Sequence, residues 1–288
     1  MTATPAIEAF FDPATHTVSY VVSDPATGQA AIIDPVLDYT PHNARTSVRS
    51  AELLLSHLAL NGLTLKWILE THAHADHLSA AHYLRQQTGT PVVIGEAITA
   101  VQTVFGRLFE LDDVIADGSQ FDLLVREGDR LELGEMEIAV LHTPGHTPAC
   151  VSYVVGDAVF VGDTLFMPDY GTARCDFPGG SAATLYASIR KLLALPLETR
   201  VFVGHDYLPT GRSRFAWETT VAEQRRANVH VHDGVNEADF IAMRQARDAT
   251  LEAPQLILPA LQVNIRAGEL PSPGPGGQRY LKLPLNAI

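Results

Sequence analysis

The sequence predicts an α/β (α+β) chain in which two β-sheets are sandwiched between outer helices. Strand signals followed by helix signals recur in each half, and short apolar runs bounded by Gly, Pro and Asp punctuate the middle. No apolar run reaches membrane-spanning length; the stretch around Leu53 to Leu69 is broken by Ser56, His57, Asn61 and Lys66. At 288 residues the chain is long enough to bury a substantial core.

In order along the chain, Thr17 to Val22 and Ala30 to Ile33 read as strands, the second ending at Asp34-Pro35. Helical spacing of Leu and Ala runs from about Ala44 to Leu60 and stops near Asn61-Gly62. Leu65 to Glu70 is a short buried strand that runs into a histidine cluster. A helix from about Asp76 to Gln87 follows, stopped by Gly89 and Pro91, and Val92-Val-Ile opens the next strand. The middle is β-rich: Arg130 to Leu133, Met136 to His142, Cys150 to Val155 and Ala158 to Gly162, with turns at Gly134-Glu135 and Gly156-Asp157. A helix from Ala182 to Leu193 leads to a strand from Arg200 to Val203. Further helices are predicted at Arg214 to Ala227 and Glu237 to Ala249. Gly268 to Gly277, with Pro271, Pro273 and Pro275, reads as a loop. No internal repeat is present.

Composition narrows the function. A formal net charge of -13 repels nucleic-acid phosphate on average, while leaving room for a basic pocket that takes a small anion. Two cysteines, Cys150 and Cys175, are too few for a disulfide framework and read as reduced thiols. The start, Met1-Thr-Ala-Thr-Pro-Ala, lacks a basic region followed by an apolar stretch, so a cytoplasmic enzyme without a membrane partner is expected.

The most informative stretch is Thr71-His72-Ala73-His74-Ala75-Asp76-His77, placed where an apolar strand ends. Residues two apart in extended chain face the same side, so His72 and His74 can point at one centre. Asp76 and His77 then turn the chain and can face an adjacent position. Taken singly, Asp76 could cap a helix and any one histidine could be a packing residue; four such groups in six positions are not explained that way. Three later segments repeat the pattern of a polar residue after an apolar strand: Leu141-His142-Thr-Pro-Gly-His146, Val161-Gly-Asp163 and Val203-Gly-His205-Asp206. Loops at strand ends are where sheets present catalytic groups.

Together these segments resemble the metallo-β-lactamase superfamily. That resemblance implies one domain over residues 1–288, an αββα four-layer sandwich, with a C-terminal helical and loop extension from about residue 212. It also implies two potential metal sites, one from His72, His74, His146 and Asp163, and a second from Asp76, His77, His205 and the bridging Asp163. Two chemistries compete. A dinuclear zinc or mixed-metal site activates a bridging water for hydrolysis, as in glyoxalase II. A single Fe(II) on two histidines and one carboxylate leaves a face open for substrate and dioxygen. The ligand inventory admits both, because all seven side chains are present.

The segment after Asp163 resembles the persulfide dioxygenase branch, in which an Arg-x-Asp-Phe run (here Arg174-Cys-Asp176-Phe177) follows the ligand aspartate. The Asn264-Ile-Arg266 tail resembles the same branch. Carried over by position, the resemblance implies one Fe(II) per chain held by His72, His146 and Asp163, with His74, Asp76, His77 and His205 orienting ligands and water or forming a second metal site. The implied substrates are glutathione persulfide and O2, the products sulfite and glutathione, and a homodimer is common among such enzymes. Substrate contacts are expected at Arg174, Tyr207 and Arg266. Each has a plainer reading: Arg174 paired with Asp176, Tyr207 packed over the site, Arg266 a structural charge. Zinc belongs to the hydrolase alternative, and a metal-bearing interaction protein without catalysis is the alternative of another class. His57, His142, His230 and His232 read as packing or solvated residues, Cys175 as a spectator thiol, and the segment between Phe105 and Phe121 as a long loop.

Overall fold

The computed structural model describes residues 4–287. In chain order the strands are β1 (Ala6–Asp12), β2 (Thr17–Ser23), β3 (Gln29–Ile33), β4 (Val36–Thr40), β5 (Arg45–Ser47), β6 (Thr64–Leu69), β7 (Leu78–Ser79), β8 (Val92–Gly95), β9 (Leu123–Val125), β10 (Arg130–Leu133), β11 (Met136–His142), β12 (Val151–Val155), β13 (Ala158–Phe160), β14 (Arg200–Phe202) and β15 (Glu218–Thr220). The helices are α1 (Arg49–Leu60), α2 (Ala81–Thr88), α3 (Ile98–Leu108), α4 (Ala182–Leu192), α5 (Val221–Ala227), α6 (Glu237–Asp248) and α7 (Ile257–Asn264).

Side-chain alternation sorts these elements into layers. On β2, Val18, Tyr20 and Val22 face one core while Val21 faces another. The first of those cores lies between two six-stranded sheets, ordered β1-β2-β3-β6-β8-β9 and β10-β11-β12-β13-β14-β15, and holds Tyr20, Tyr153, Phe160 and Phe202. Behind the first sheet, Leu54 of α1, Leu84 of α2, Phe105 of α3 and Leu261 of α7 pack together. Behind the second, Leu185 and Ile189 of α4 meet Val221 of α5 and Phe240 of α6. The result is the predicted αββα sandwich. Each fully buried Leu or Phe contributes about 1.5–3 kcal/mol. Among the described residues, no helix is long and apolar enough to cross a membrane.

Three predicted helices are corrected at their N-terminal ends. The 44–60 helix begins at Arg49, because Ala44 adopts a positive φ of 51° and Arg45–Ser47 pairs with β4. The 76–87 helix begins at Ala81; Leu78–Ser79 pairs with β4 first. The 214–227 helix begins at Val221, because Glu218–Thr220 extends the second sheet at its edge and Thr220 caps the helix by accepting from Glu223 N. Two helices, α3 and α7, were not anticipated. The loop expected between Phe105 and Phe121 is helical to Leu108 and then irregular, and Phe109, Leu111 and Phe121 anchor it in the core.

Strands β3, β6, β11, β13 and β14 deliver Asp34, Glu70, His146, Asp163 and His205 respectively just beyond their C-terminal ends. Two glycines let these turns close. Gly145 has φ 134° and its Cβ would fall 2.3 Å from Leu185 N, so only glycine brings His146 this near α4. Gly162 has φ 50°, and its Cβ would lie 2.5 Å from Thr71 Oγ1.

Candidate metal centre

The turn after β6 and the three later turns converge. His72, His146 and Asp163 present ligand atoms that all lie within 4.8 Å of one another, and so do His74, Asp76, His77 and His205. Asp163 joins the clusters: its Oδ2 is 3.8 Å from His72 Nε2 and 3.7 Å from His146 Nε2, while its Oδ1 is 3.3 Å from His205 Nε2. Ligand atoms at about 2.0–2.2 Å from a metal sit a little over 3 Å apart, so modest closure of the first group gives a three-ligand site. Buried His72 Nε2, His77 Nε2, His205 Nε2 and Asp163 Oδ1 have no hydrogen-bond partner among the described residues. Orphaned lone pairs converging on one region are what a metal satisfies, so the donor set fits one.

The imidazoles are oriented from behind. His146 Nδ1 donates to the Arg174 carbonyl at 2.7 Å, which leaves Nε2 as the free acceptor. His72 Nδ1 lies 3.0 Å from Thr71 Oγ1, and Thr71 donates from its hydroxyl and backbone N–H to the two Asp34 oxygens at 2.8 and 2.7 Å. His205 Nδ1 faces the His16 carbonyl at 3.3 Å. Burial first, and then the neighbouring His74, holds His72 well below the usual imidazole range, in the neutral form a ligand needs.

His74 departs from the first of the two metal sites that the superfamily resemblance implies and keeps to the set expected with the dioxygenase branch. It groups with Asp76, His77 and His205 rather than with His72, His146 and Asp163. Its Nε2 sits 3.0 Å from Asp34 Oδ1 and 3.4 Å from Glu70 Oε2, so two buried carboxylates draw the ring toward the back wall. Burial opposes a charge there, yet Asp34 and Glu70 outweigh it and raise the His74 pKa well above its ordinary value. Sequence reasoning gave Asp34 and Glu70 no role; both sit at the end of an apolar strand, the signal that singled out the histidines.

A pocket of about 400 Å3 opens on this centre through Asp76, His146 and Asp163. Tyr207 lines it, stacked on His205 with ring centroids 5.6 Å apart. Arg174 lines it too, but its guanidinium is held by Asp176 in two bonds of 2.6 Å and by the Glu252 carbonyl at 2.6 Å. Arg266 does not line the pocket: it grips Asp113 with bonds of 2.6 and 2.8 Å and so pins the segment after α3. Two arginines of α6 that the sequence gave no reason to single out do line it. Arg244 is buried and paired with Asp248, whereas Arg247 is exposed and has no acidic partner among the described residues.

Other residues settle around this core. Asn264 donates to the carbonyls of His74 at 2.8 Å and His77 at 2.7 Å, and accepts from Ser79 N at 2.8 Å, so it clamps the histidine-bearing turn. His230, expected to be solvated, is half-buried and accepts from Thr172 N at 3.1 Å. His142 turns away from the centre, 3.0 Å from the Pro148 carbonyl. The Cys175 thiol donates to Asp248 at 3.3 Å, and burial with that carboxylate pushes its pKa up to about 12.

Residues 12–205 match the metallo-β-lactamase superfamily. A probable metallo-hydrolase of Burkholderia pseudomallei (strain 1710b) is 55% identical over 98% of this chain and 99% of its own length. A β-lactamase hydrolase-like protein of Agrobacterium fabrum (strain C58) is 54% identical over 99% of this chain, which spans 66% of that longer protein. Glyoxylase B2 of Dictyostelium discoideum is 50% identical over 98% of this chain and 97% of its own length. The mitochondrial persulfide dioxygenase ETHE1 of Homo sapiens is 31% identical over 91% of this chain and 88% of its own length. Among solved structures, ETHE1 from Myxococcus xanthus superposes with a TM-score of 0.73 at 34% identity, over 92% of this chain and all of that one.

Proposed function

Because the chain belongs to the metallo-β-lactamase superfamily, we propose that it is an iron-dependent persulfide dioxygenase. The reaction is oxidation of glutathione persulfide with O2 and water to sulfite and glutathione. The observation that carries this reading is the group of His72, His146 and Asp163, two imidazoles and one carboxylate, on a pocket that also holds Arg247, an arginine with no acidic partner among the described residues. Likeness to the ETHE1 proteins over nearly the whole chain supports it.

His72, His146 and Asp163 would hold one Fe(II), which when bound lets dioxygen react with sulfur and leaves coordination positions open. The remaining work falls to the chain. Arg247, without an acidic partner among the described residues, takes a substrate carboxylate, a charge-assisted contact that a bidentate guanidinium makes well. Tyr207, Tyr170 and Phe166 form an aromatic wall that keeps water from the sulfur end. Arg174 contributes its carbonyl, which fixes the His146 ring, and its guanidinium lies 5.3 Å over Phe177, the ring that meets His146 edge-on. The atoms balance as one persulfide, one O2 and one water giving glutathione, sulfite and two protons.

The test is oxygen consumption by the purified chain with glutathione persulfide, with metals counted on the same sample. Uptake with about one iron per chain supports the reading; hydrolysis of an acylglutathione thioester without uptake sinks it. A second reading, a dinuclear hydrolase, is favoured by the way Asp163 turns one oxygen to each cluster and by the name of the Burkholderia relative. Two zinc or mixed metals per chain would establish it.

A further inference from the structure

We propose that Arg212 is a positioning residue that fixes the aromatic wall of the pocket by bridging the two turns that carry it. This deepens the persulfide dioxygenase reading, on which it rests. Arg212 lies in the connection from β14 to β15, residues 203–217. Its Nη1 donates to Asp206 Oδ2 at 2.7 Å, and its Nη2 to the other Asp206 oxygen. From the same planar group, Nε donates to Asp169 Oδ2 at 2.7 Å. Asp206 stands between His205 and Tyr207 in the chain, and Asp169 directly precedes Tyr170. One rigid fork therefore joins two turns that are remote in sequence. Both tyrosines line the pocket, with ring centroids 5.0 Å apart, and Tyr207 stacks on His205 with 14° between the planes.

The two acids do different work. Asp206 is buried and also accepts from Ala216 N at 2.7 Å, so its pair with Arg212 belongs to the fold of the loop. Asp169 is exposed, where an ion pair adds little to stability. Each segment also has support of its own. Phe215 packs on Phe11 with centroids 4.4 Å apart, and Tyr170 N donates to the Met167 carbonyl at 2.8 Å. Loop and turn thus keep their course without the Asp169 bond, and what that bond adds is a fixed separation between them. Tyr170 is where the separation matters to a ligand. It faces Tyr207 on the metal side, while on the basic side burial raises its hydroxyl pKa against the opposing charges of Arg247 and Arg244. A wall free to shift would be ordered anew by each substrate and so weaken its binding; the bridge holds that wall in place beforehand.

Asp169→Ala cuts the bridge at its exposed end and leaves the buried Asp206 pair intact. Arg212→Lys is the second variant, because an ammonium can serve Asp206 but lacks the fork that reaches both acids. The measurements are glutathione affinity by titration calorimetry on the iron-loaded chain, steady-state kinetics with glutathione persulfide, and Tm. Both variants are expected to weaken glutathione binding and raise KM for the persulfide roughly five-fold, with kcat and Tm nearly retained. Asp169→Ala added to Tyr170→Ala is expected to change affinity no further, because the bridge acts through that ring. Unchanged glutathione affinity in folded Asp169→Ala, or an effect that adds in full to that of Tyr170→Ala, overturns the bridge. The affinity is read without turnover, which keeps the two ideas apart. A wild-type chain that binds glutathione but consumes no oxygen overturns the dioxygenase reading, and the variants' affinities still decide the bridge. A wild-type chain that binds no glutathione overturns both.

Discussion

The two ligand clusters are built from the same chemistry and placed a few ångströms apart, yet their surroundings differ. In the front cluster His146 and Asp163 border the pocket, and Thr71 and the Arg174 carbonyl hold the imidazoles from behind. In the rear cluster only Asp76 borders the pocket, and His74 is engaged by Asp34 and Glu70, two carboxylates that belong to neither set. Ligand type alone does not make a working site. Access from solvent and the partners behind each ring decide which cluster can hold a metal where a substrate meets it.

The largest expected effect separates the clusters directly. Asp163→Ala removes the carboxylate that both clusters share, and is expected to abolish metal binding and oxygen uptake. Asp76→Ala touches only the rear cluster. It is expected to leave about one iron bound and to lower activity by roughly 10–100-fold, the usual cost of losing a group that orients ligands. Metal content and oxygen uptake measured on both variants check this. Equal loss in the two, with wild type holding two metals, would break the distinction and favour the dinuclear hydrolase.

Next in size is Asn264→Ala. Its amide makes three buried hydrogen bonds to the turn that carries both clusters. Leaving those partners unsatisfied costs about 1–3 kcal/mol each, less whatever water restores. A fall in Tm together with weaker iron binding is expected. Normal iron affinity in a folded variant would show that the clamp serves stability alone.

The sequence made the centre readable because each ligand announces itself locally: an apolar run ends and an imidazole or carboxylate follows, often after a glycine. Asp163 and His205 needed no more than that. The position of His74 was not readable, because Asp34 is remote in sequence and only the parallel pairing of β3 with β6 brings it alongside. For Arg266 the plainer reading, a structural charge, matches its bonds to Asp113, but that partner was not readable because it lies in a segment that read as a loop. Arg247 looked like any charge on a helix surface until α6 was packed over the pocket. The start of α5 was misplaced because Thr219 and Thr220 suit a strand, and only pairing with β14 reveals it.

Arg247 tests the pocket side of the comparison. Arg247→Ala is expected to raise KM for glutathione persulfide about ten-fold, with kcat nearly unchanged, as when a contact equal in ground and transition states is lost. Steady-state kinetics with the persulfide checks it. Arg174→Ala should act on kcat as well, since that guanidinium braces Phe177 beside His146.

The smallest expected effect lies under the pocket wall. Burial, and then the Arg244 and Arg247 charges, depress the His230 pKa to about 4. Unfolded, the same imidazole titrates near 6.5. Between pH 6.5 and about 4 the unfolded chain takes up a proton that the native chain refuses, so native stability falls with pH across that window and levels off below it. Because the ring is partly open to solvent, the loss is about 1–2 kcal/mol rather than the full value. His230→Gln keeps a side chain able to accept from Thr172 N and removes the titration, so its stability should decline less steeply over the same range. Denaturant midpoints at pH 7, 5.5 and 4 compare the two proteins, and parallel curves would show that burial and the two arginines do not keep this imidazole neutral.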